Sequence, residues 1–127
     1  MKFIKPETDY AFQALVFLAR NNKPYTVKDI ALKLKLPLIH LRKIFRTLAS
    51  EEILFLTKGR ASKFTLNVAP KTVSMARIFK IFQGEIDLID CVVEQGRCDN
   101  ITDCFVREKL QGISSKLEQE LEKITLI

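Results

Sequence analysis

The stretch Thr26-Val27-Lys28-Asp29-Ile30-Ala31-Leu32-Lys33-Leu34-Lys35-Leu36-Pro37-Leu38-Ile39-His40-Leu41-Arg42-Lys43-Ile44-Phe45-Arg46-Thr47-Leu48-Ala49 decides the fold. Thr26 offers a capping hydroxyl, and Val27, Ile30, Ala31 and Leu34 fall on one helical stripe. Asp29 stands at the third helical position, where a carboxylate suits the positive end of the helix dipole. This short helix ends near Lys35. Pro37 opens another, because the first N–H of a helix has no internal partner to lose, and Leu38, Leu41, Phe45 and Leu48 form its inward stripe to about Ala49.

Upstream, Tyr10, Ala14, Phe17 and Leu18 recur at helical spacing from about Thr8, read as an N-cap, until Asn21-Asn22-Lys23-Pro24 breaks the pattern. Downstream, Ile53 to Thr57 and Lys63 to Asn67 read as strands joined by Lys58-Gly59-Arg60-Ala61-Ser62, a hairpin with Gly59 in its turn. Three helices and a hairpin are the order of a winged helix. A connector with Pro70 leads to a helix over Val73 to Phe82, closed by Gly84, and Asp90 to Asp103 is polar and loop-like. A last helix, about Cys104 to Lys123, spaces Val106, Leu110, Ile113, Leu117, Leu121 and Ile124 by threes and fours.

The expected fold class is therefore mainly α with a small β-hairpin wing: a winged helix-turn-helix over residues 1–68, then a connector helix, a cysteine loop and a long C-terminal dimerisation helix over 69–127. The last stripe has little room in a small core already served by the other elements. A second copy would cover it, and helix-turn-helix proteins commonly pair to match two half-sites, so a homodimer is expected.

A chain of 127 residues suits one compact domain with such an extension. With 47% hydrophobic and 28% charged residues it is neither disordered nor membrane-like in composition. No apolar run reaches the roughly 18 to 20 residues of a bilayer span. Glu7 and Asp9 interrupt the leading segment before an apolar signal region forms, so a cytoplasmic protein is expected. The net charge of +6 is uneven: 13 Lys/Arg stand against 5 Asp/Glu through Leu66, and 8 against 10 beyond it. A basic first half suits a polyanion, because Lys and Arg neutralise phosphate.

Double-stranded DNA is the expected partner. Arg42, Lys43 and Arg46 share the outer face of the third helix, with Ile39 and His40 one turn earlier. Ile39, His40, Arg42 and Lys43 are the candidate base readers, and Arg46 a phosphate clamp. Thr26 and Lys28 bring a helix N-terminus and a cation to a phosphate, and Lys58, Arg60 and Lys63 place three cations in or beside the wing. Taken singly, each cation is an ordinary solvated charge; their clustering over three consecutive elements is what points to DNA. No Ser-His-Asp set, glycine-rich phosphate loop or convergent carboxylate pair is present, so an enzyme is not expected.

The three cysteines, Cys91, Cys98 and Cys104, are separated by six and then five residues among polar neighbours. Inert thiols usually sit on apolar stripes, and an odd count in a reducing compartment disfavours a disulfide. Structural zinc wants four ligands, with no fourth cysteine or second histidine to supply one. An iron–sulfur cluster also prefers four donors, but accepts a non-thiolate in one position. Two alternatives stay open: a metal-free thiol redox regulator of the same fold, and an iron–sulfur carrier or electron-transfer protein docking through its basic face.

Thr8-Asp9-Tyr10-Ala11, Ile30-Ala31, Leu41-Arg42-Lys43-Ile44-Phe45 with Leu48, the Gly59 turn and the cysteine trio carry a resemblance over nearly the whole chain. It resembles the iron–sulfur winged-helix transcriptional regulators, the family that includes the IscR and NsrR repressors. The resemblance implies a dimer with crossing C-terminal helices and a cluster, held by Cys91, Cys98 and Cys104, that controls DNA affinity in response to redox, nitric oxide or iron–sulfur status. IscR-like members place a histidine where this chain has Arg107. NsrR-like members take an acidic residue from the partner's first helix, and Asp9 stands at the matching place. That likeness makes Asp9 the fourth ligand and favours 4Fe-4S over 2Fe-2S. Asp9 also reads as an ordinary first-turn carboxylate, and Glu7 is a lesser candidate. Arg42 replaces the acidic reader common on the family's third helix, and Arg60-Ala61-Ser62-Lys63-Phe64 departs from the usual paired glycines of its wing, which implies a different operator.

Overall fold

A computed structural model describes residues 3–57, 59, 61–88 and 105–127. The elements run α1 (Pro6–Asn21), α2 (Val27–Leu34), α3 (Leu38–Ser50), β1 (Leu54–Thr57), β2 (Lys63–Leu66), a 3-10 turn at Pro70–Thr72, α4 (Met75–Gln83) and α5 (Phe105–Glu122). The order is that of a winged helix with two further helices.

Local chemistry sets most boundaries. α1 starts two residues before the expected cap, because Pro6 occupies its first turn behind an extended Lys5. Thr8 is not a cap but lies fully buried inside the helix. Asn22 closes α1 in the left-handed region, φ 45°, which asparagine tolerates better than most residues. Thr26 caps α2 as expected, accepting from the Asp29 N–H at 3.0 Å. Pro37 precedes α3 at the cap position rather than opening it. Val73 lies outside α4, which Ser74 caps by accepting from the Arg77 N–H at 3.1 Å and Gly84 closes at φ 84°.

The two strands pair antiparallel in the register Leu54↔Leu66, Leu56↔Phe64 and Thr57↔Lys63, with Gly59 in the connection. Tyr25 extends this ribbon: its N–H donates to the Phe64 carbonyl at 3.2 Å, and the Phe64 N–H returns to Tyr25 at 2.7 Å. Tyr25 immediately precedes the Thr26 cap, so the wing is tied by its backbone to the start of the helix-turn-helix.

The core centres on Phe45, whose ring meets Phe64 edge-on at 5.0 Å among buried Leu15, Ile30, Leu41, Leu48 and Ile53. Val73, Ile78 and Leu126 from the later half belong to the same buried cluster. The chain end is brought there by Ser74 and Thr125 pairing as strands do, with the Met75 N–H donating to the Ile124 carbonyl at 2.7 Å. A smaller cluster joins Ala76, Phe79 and Ile86 to Phe3, Ile4, Leu117 and Leu121.

α5 splits its apolar stripe. Leu117 and Leu121 pack on α4, where Lys80 also pairs with Glu118. That hydrogen bond raises the Lys80 ammonium above its ordinary value of 10.5, so the pair is in place at neutral pH and is lost only as the solution becomes more alkaline than that. Phe105, Val106 and Ile113 remain 68%, 58% and 50% exposed.

Candidate nucleic-acid interface and ligand residues

On α3 the inward residues Leu41, Ile44, Phe45 and Leu48 are buried, which fixes the other face outward. Arg42, Lys43 and Arg46 are exposed there, with His40 and a 71%-exposed Ile39 one turn earlier. A large apolar side chain held in solvent among cations fits contact with an uncharged part of a groove, such as a thymine methyl. Lys28 is exposed on the first turn of α2, while the Thr26 hydroxyl is engaged in capping. Lys63 is exposed at the mouth of the hairpin. The structure thus brings Lys28, the α3 row and Lys63 onto elements anchored to one core. Lys58 and Arg60 lie outside the described residues, as do Cys91, Cys98 and Cys104.

Asp9 is exposed in the first turn of α1. Its Oδ2 accepts from Gln13 Nε2 at 2.8 Å, a pair one helical turn apart. Ile4, Pro6, Tyr10 and Met75 surround it in an open recess of about 450 Å³. Glu7 lines a neighbouring recess of about 480 Å³, in which Lys5, Pro6 and Tyr10 face Pro37 and His40. The first turn of α1 therefore adjoins the start of α3. Among the described residues no group of three or more His, Cys, Asp or Glu side chains converges to hold a metal, so Asp9 offers a single donor there. With three thiolates it would bring the donors to four, the number an iron–sulfur cluster takes.

Gln83 is the residue that sequence reasoning missed. It closes α4, and its side chain makes three hydrogen bonds to residues 3, 5 and 8 at the start of the chain, one of them with the buried Thr8 hydroxyl at 2.6 Å. The only sequence signal was its place before the helix-ending Gly84.

Among the described residues no helix is long and apolar enough to cross a membrane. A family model described as Rrf2, iron-dependent transcriptional regulator, matches residues 4–127. A candidate HTH-type transcriptional regulator of Haemophilus influenzae is 24% identical over 119 residues, covering 92% of this chain and 79% of that protein. CymR, the global cysteine regulator of B. subtilis, superposes with a TM-score of 0.80 at 19% identity, covering 99% of this chain and 94% of its own. IscR of T. potens does so with a TM-score of 0.71 at 21% identity, covering 99% and 83%.

Proposed function

The chain belongs to the Rrf2 family of DNA-binding transcriptional regulators, and from that premise we propose a homodimer whose operator affinity is set by an iron–sulfur cluster on Cys91, Cys98, Cys104 and Asp9. The observation that carries this reading is Asp9 itself: an exposed carboxylate, oriented by Gln13, standing in a recess on the helix that adjoins the recognition helix. The thiolate trio would supply the other three donors, and the family description as iron-dependent supports an iron cofactor.

Cys91, Cys98 and Cys104 would hold the group as thiolates, and Asp9 would complete the set across the dimer. When bound, the group supplies a centre that reacts with oxidants or nitric oxide. A carboxylate is a weaker partner for iron than a thiolate, so Asp9 would be the most easily displaced of the four donors. A change in how Asp9 is engaged would bear on the first turn of α1, whose Tyr10 lines one recess with Pro37 and His40 at the start of α3. For that to switch binding, the two ligand states must differ by a few kcal/mol in their preference for the two dimer geometries.

At DNA, Ile39, His40, Arg42 and Lys43 read base edges while Arg46, Lys28 and the wing cations hold phosphates. A regulator with this work resides in the cytoplasm with the DNA it controls. Anaerobic purification tests the reading: the protein is expected to be coloured and to contain iron and acid-labile sulfide. A colourless protein whose DNA affinity follows thiol oxidation alone would replace it with the metal-free reading.

A further inference from the structure

Gln83 is the last residue of α4, held there because Gly84 turns the chain at φ 84°. Its Oε1 accepts from the Lys5 backbone N–H at 2.9 Å and from the Thr8 hydroxyl at 2.6 Å, and its Nε2 donates to the Phe3 carbonyl at 2.9 Å. These partners lie 75 to 80 residues away in sequence. Both ends of the amide are used, so rotating it by half a turn would set its NH2 against the Lys5 N–H and its oxygen against the Phe3 carbonyl. Thr8 is fully buried, and its hydroxyl has no water to turn to if the amide is removed.

The backbone held in this way forms the surroundings of Asp9. Lys5 lies between Ile4 and Pro6, which line the Asp9 recess, and Thr8 directly precedes Asp9. The facing wall, Met75, comes from the other end of α4. Gln13 orients the carboxylate, but nothing in that hydrogen bond fixes where α1 begins. The Gln83 amide instead ties this segment to the end of α4, gripping residues 3, 5 and 8 from the helix on which α5 packs.

We infer that Gln83 is a positioning residue for Asp9: its amide holds residues 3–8 so that the carboxylate and its recess are presented to the fourth ligand position in one geometry. The inference rests on the proposed role of Asp9. It is tested by reconstituting four full-length proteins anaerobically with iron and sulfide: the unmodified chain, Asp9→Ala, Gln83→Leu and the double variant. Visible circular dichroism and the half-life of the cluster absorbance in air are recorded, together with the thermal midpoint of each apoprotein.

Gln83→Leu is expected to move the spectrum toward that of Asp9→Ala and to shorten the half-life roughly 10-fold, the usual scale for removing a group that orients a ligand. In the Asp9→Ala background it should change the half-life by less than about twofold, since the group it positions is gone. Gln83→Leu strands the Thr8 hydroxyl, so Thr8→Val/Gln83→Leu is the companion: apoprotein stability returns, while the spectrum stays altered because Phe3 and Lys5 are still released.

An unchanged spectrum and half-life, or an equal loss with and without Asp9, overturns the positioning role and leaves the Asp9 reading standing. Identical spectra for Asp9→Ala and the unmodified chain overturn the ligand role of Asp9, and the inference with it. An unmodified chain that takes up no iron overturns the proposed cluster itself.

Discussion

α3 and α5 are both amphipathic helices, yet they end differently. The apolar stripe of α3 is covered by its own chain, with Leu41, Phe45 and Leu48 wholly enclosed. That of α5 is covered in part, with Leu117 and Leu121 meeting α4 and Leu110 half-buried, while Phe105, Val106 and Ile113 stay in solvent. A helix finished from within offers its outer face, and on α3 that face is mainly cationic, with Ile39 its one large exposed apolar side chain, suited to DNA. A helix left unfinished offers apolar surface, suited to another copy of itself. The same 3.6-residue periodicity thus leaves two kinds of surface, according to what the rest of the chain covers.

The contrast breaks most visibly in the core. Phe45→Ala should destabilise the protein by about 3 to 5 kcal/mol in urea denaturation, whereas Phe105→Ala should cost under about 0.5 kcal/mol in a monomer-only measurement. Similar losses at both positions would mean that the two helices are equally enclosed.

Next in size is the loss of pairing. Val106→Glu with Ile113→Glu should give a folded monomer in sedimentation, and operator affinity should fall by roughly 100-fold as two linked half-sites become one. A dimer that persists would place the interface elsewhere.

On α3 the expected effects are smaller and of two kinds. Arg42→Ala should cost about 1 to 3 kcal/mol on the selected operator, if its base contact is bidentate, and much less on random DNA. Arg46→Ala should weaken both alike and lower the salt slope by about 0.9, the share of a single neutralised phosphate. Equal losses for Arg42→Ala on both DNAs would make it a clamp rather than a reader.

The smallest effect sharpens the comparison from outside either helix face. Glu52 holds φ 62° between α3 and the wing, a conformation that costs a side-chain-bearing residue about 1 kcal/mol. Glu52→Gly should add about that much stability by thermal denaturation while leaving operator affinity unchanged. A loss of affinity would show that the turn itself touches DNA.

What could be read from the sequence follows from the range of each interaction. Thr26, Gly84 and the Leu41–Phe45–Leu48 stripe act within a turn or two of helix, so the helix-turn-helix, its cap and its outward cations were legible, and Ile44 merely joins the buried side. Thr8 was misread because a threonine before an apolar run has the local look of a cap, while its actual partner, Gln83, stands 75 residues away. Leu126 entering the core and the Ser74–Thr125 pairing were invisible for the same reason. The apolar spacing of α5 was evident, but which part meets α4 and which part stays exposed depends on where α4 lies.

The central claim is that DNA affinity depends on a cluster held by the cysteine trio and Asp9. The most direct measurement is fluorescence anisotropy on a DNA site selected from a random library, using anaerobically purified protein before and after nitric oxide, with iron and acid-labile sulfide assayed on the same sample. A coloured, iron-containing dimer is expected, its affinity changing by about tenfold or more, the equivalent of about 1.4 kcal/mol or more between its states. A protein without iron or sulfide, or one that binds the site equally well in both conditions, would contradict it.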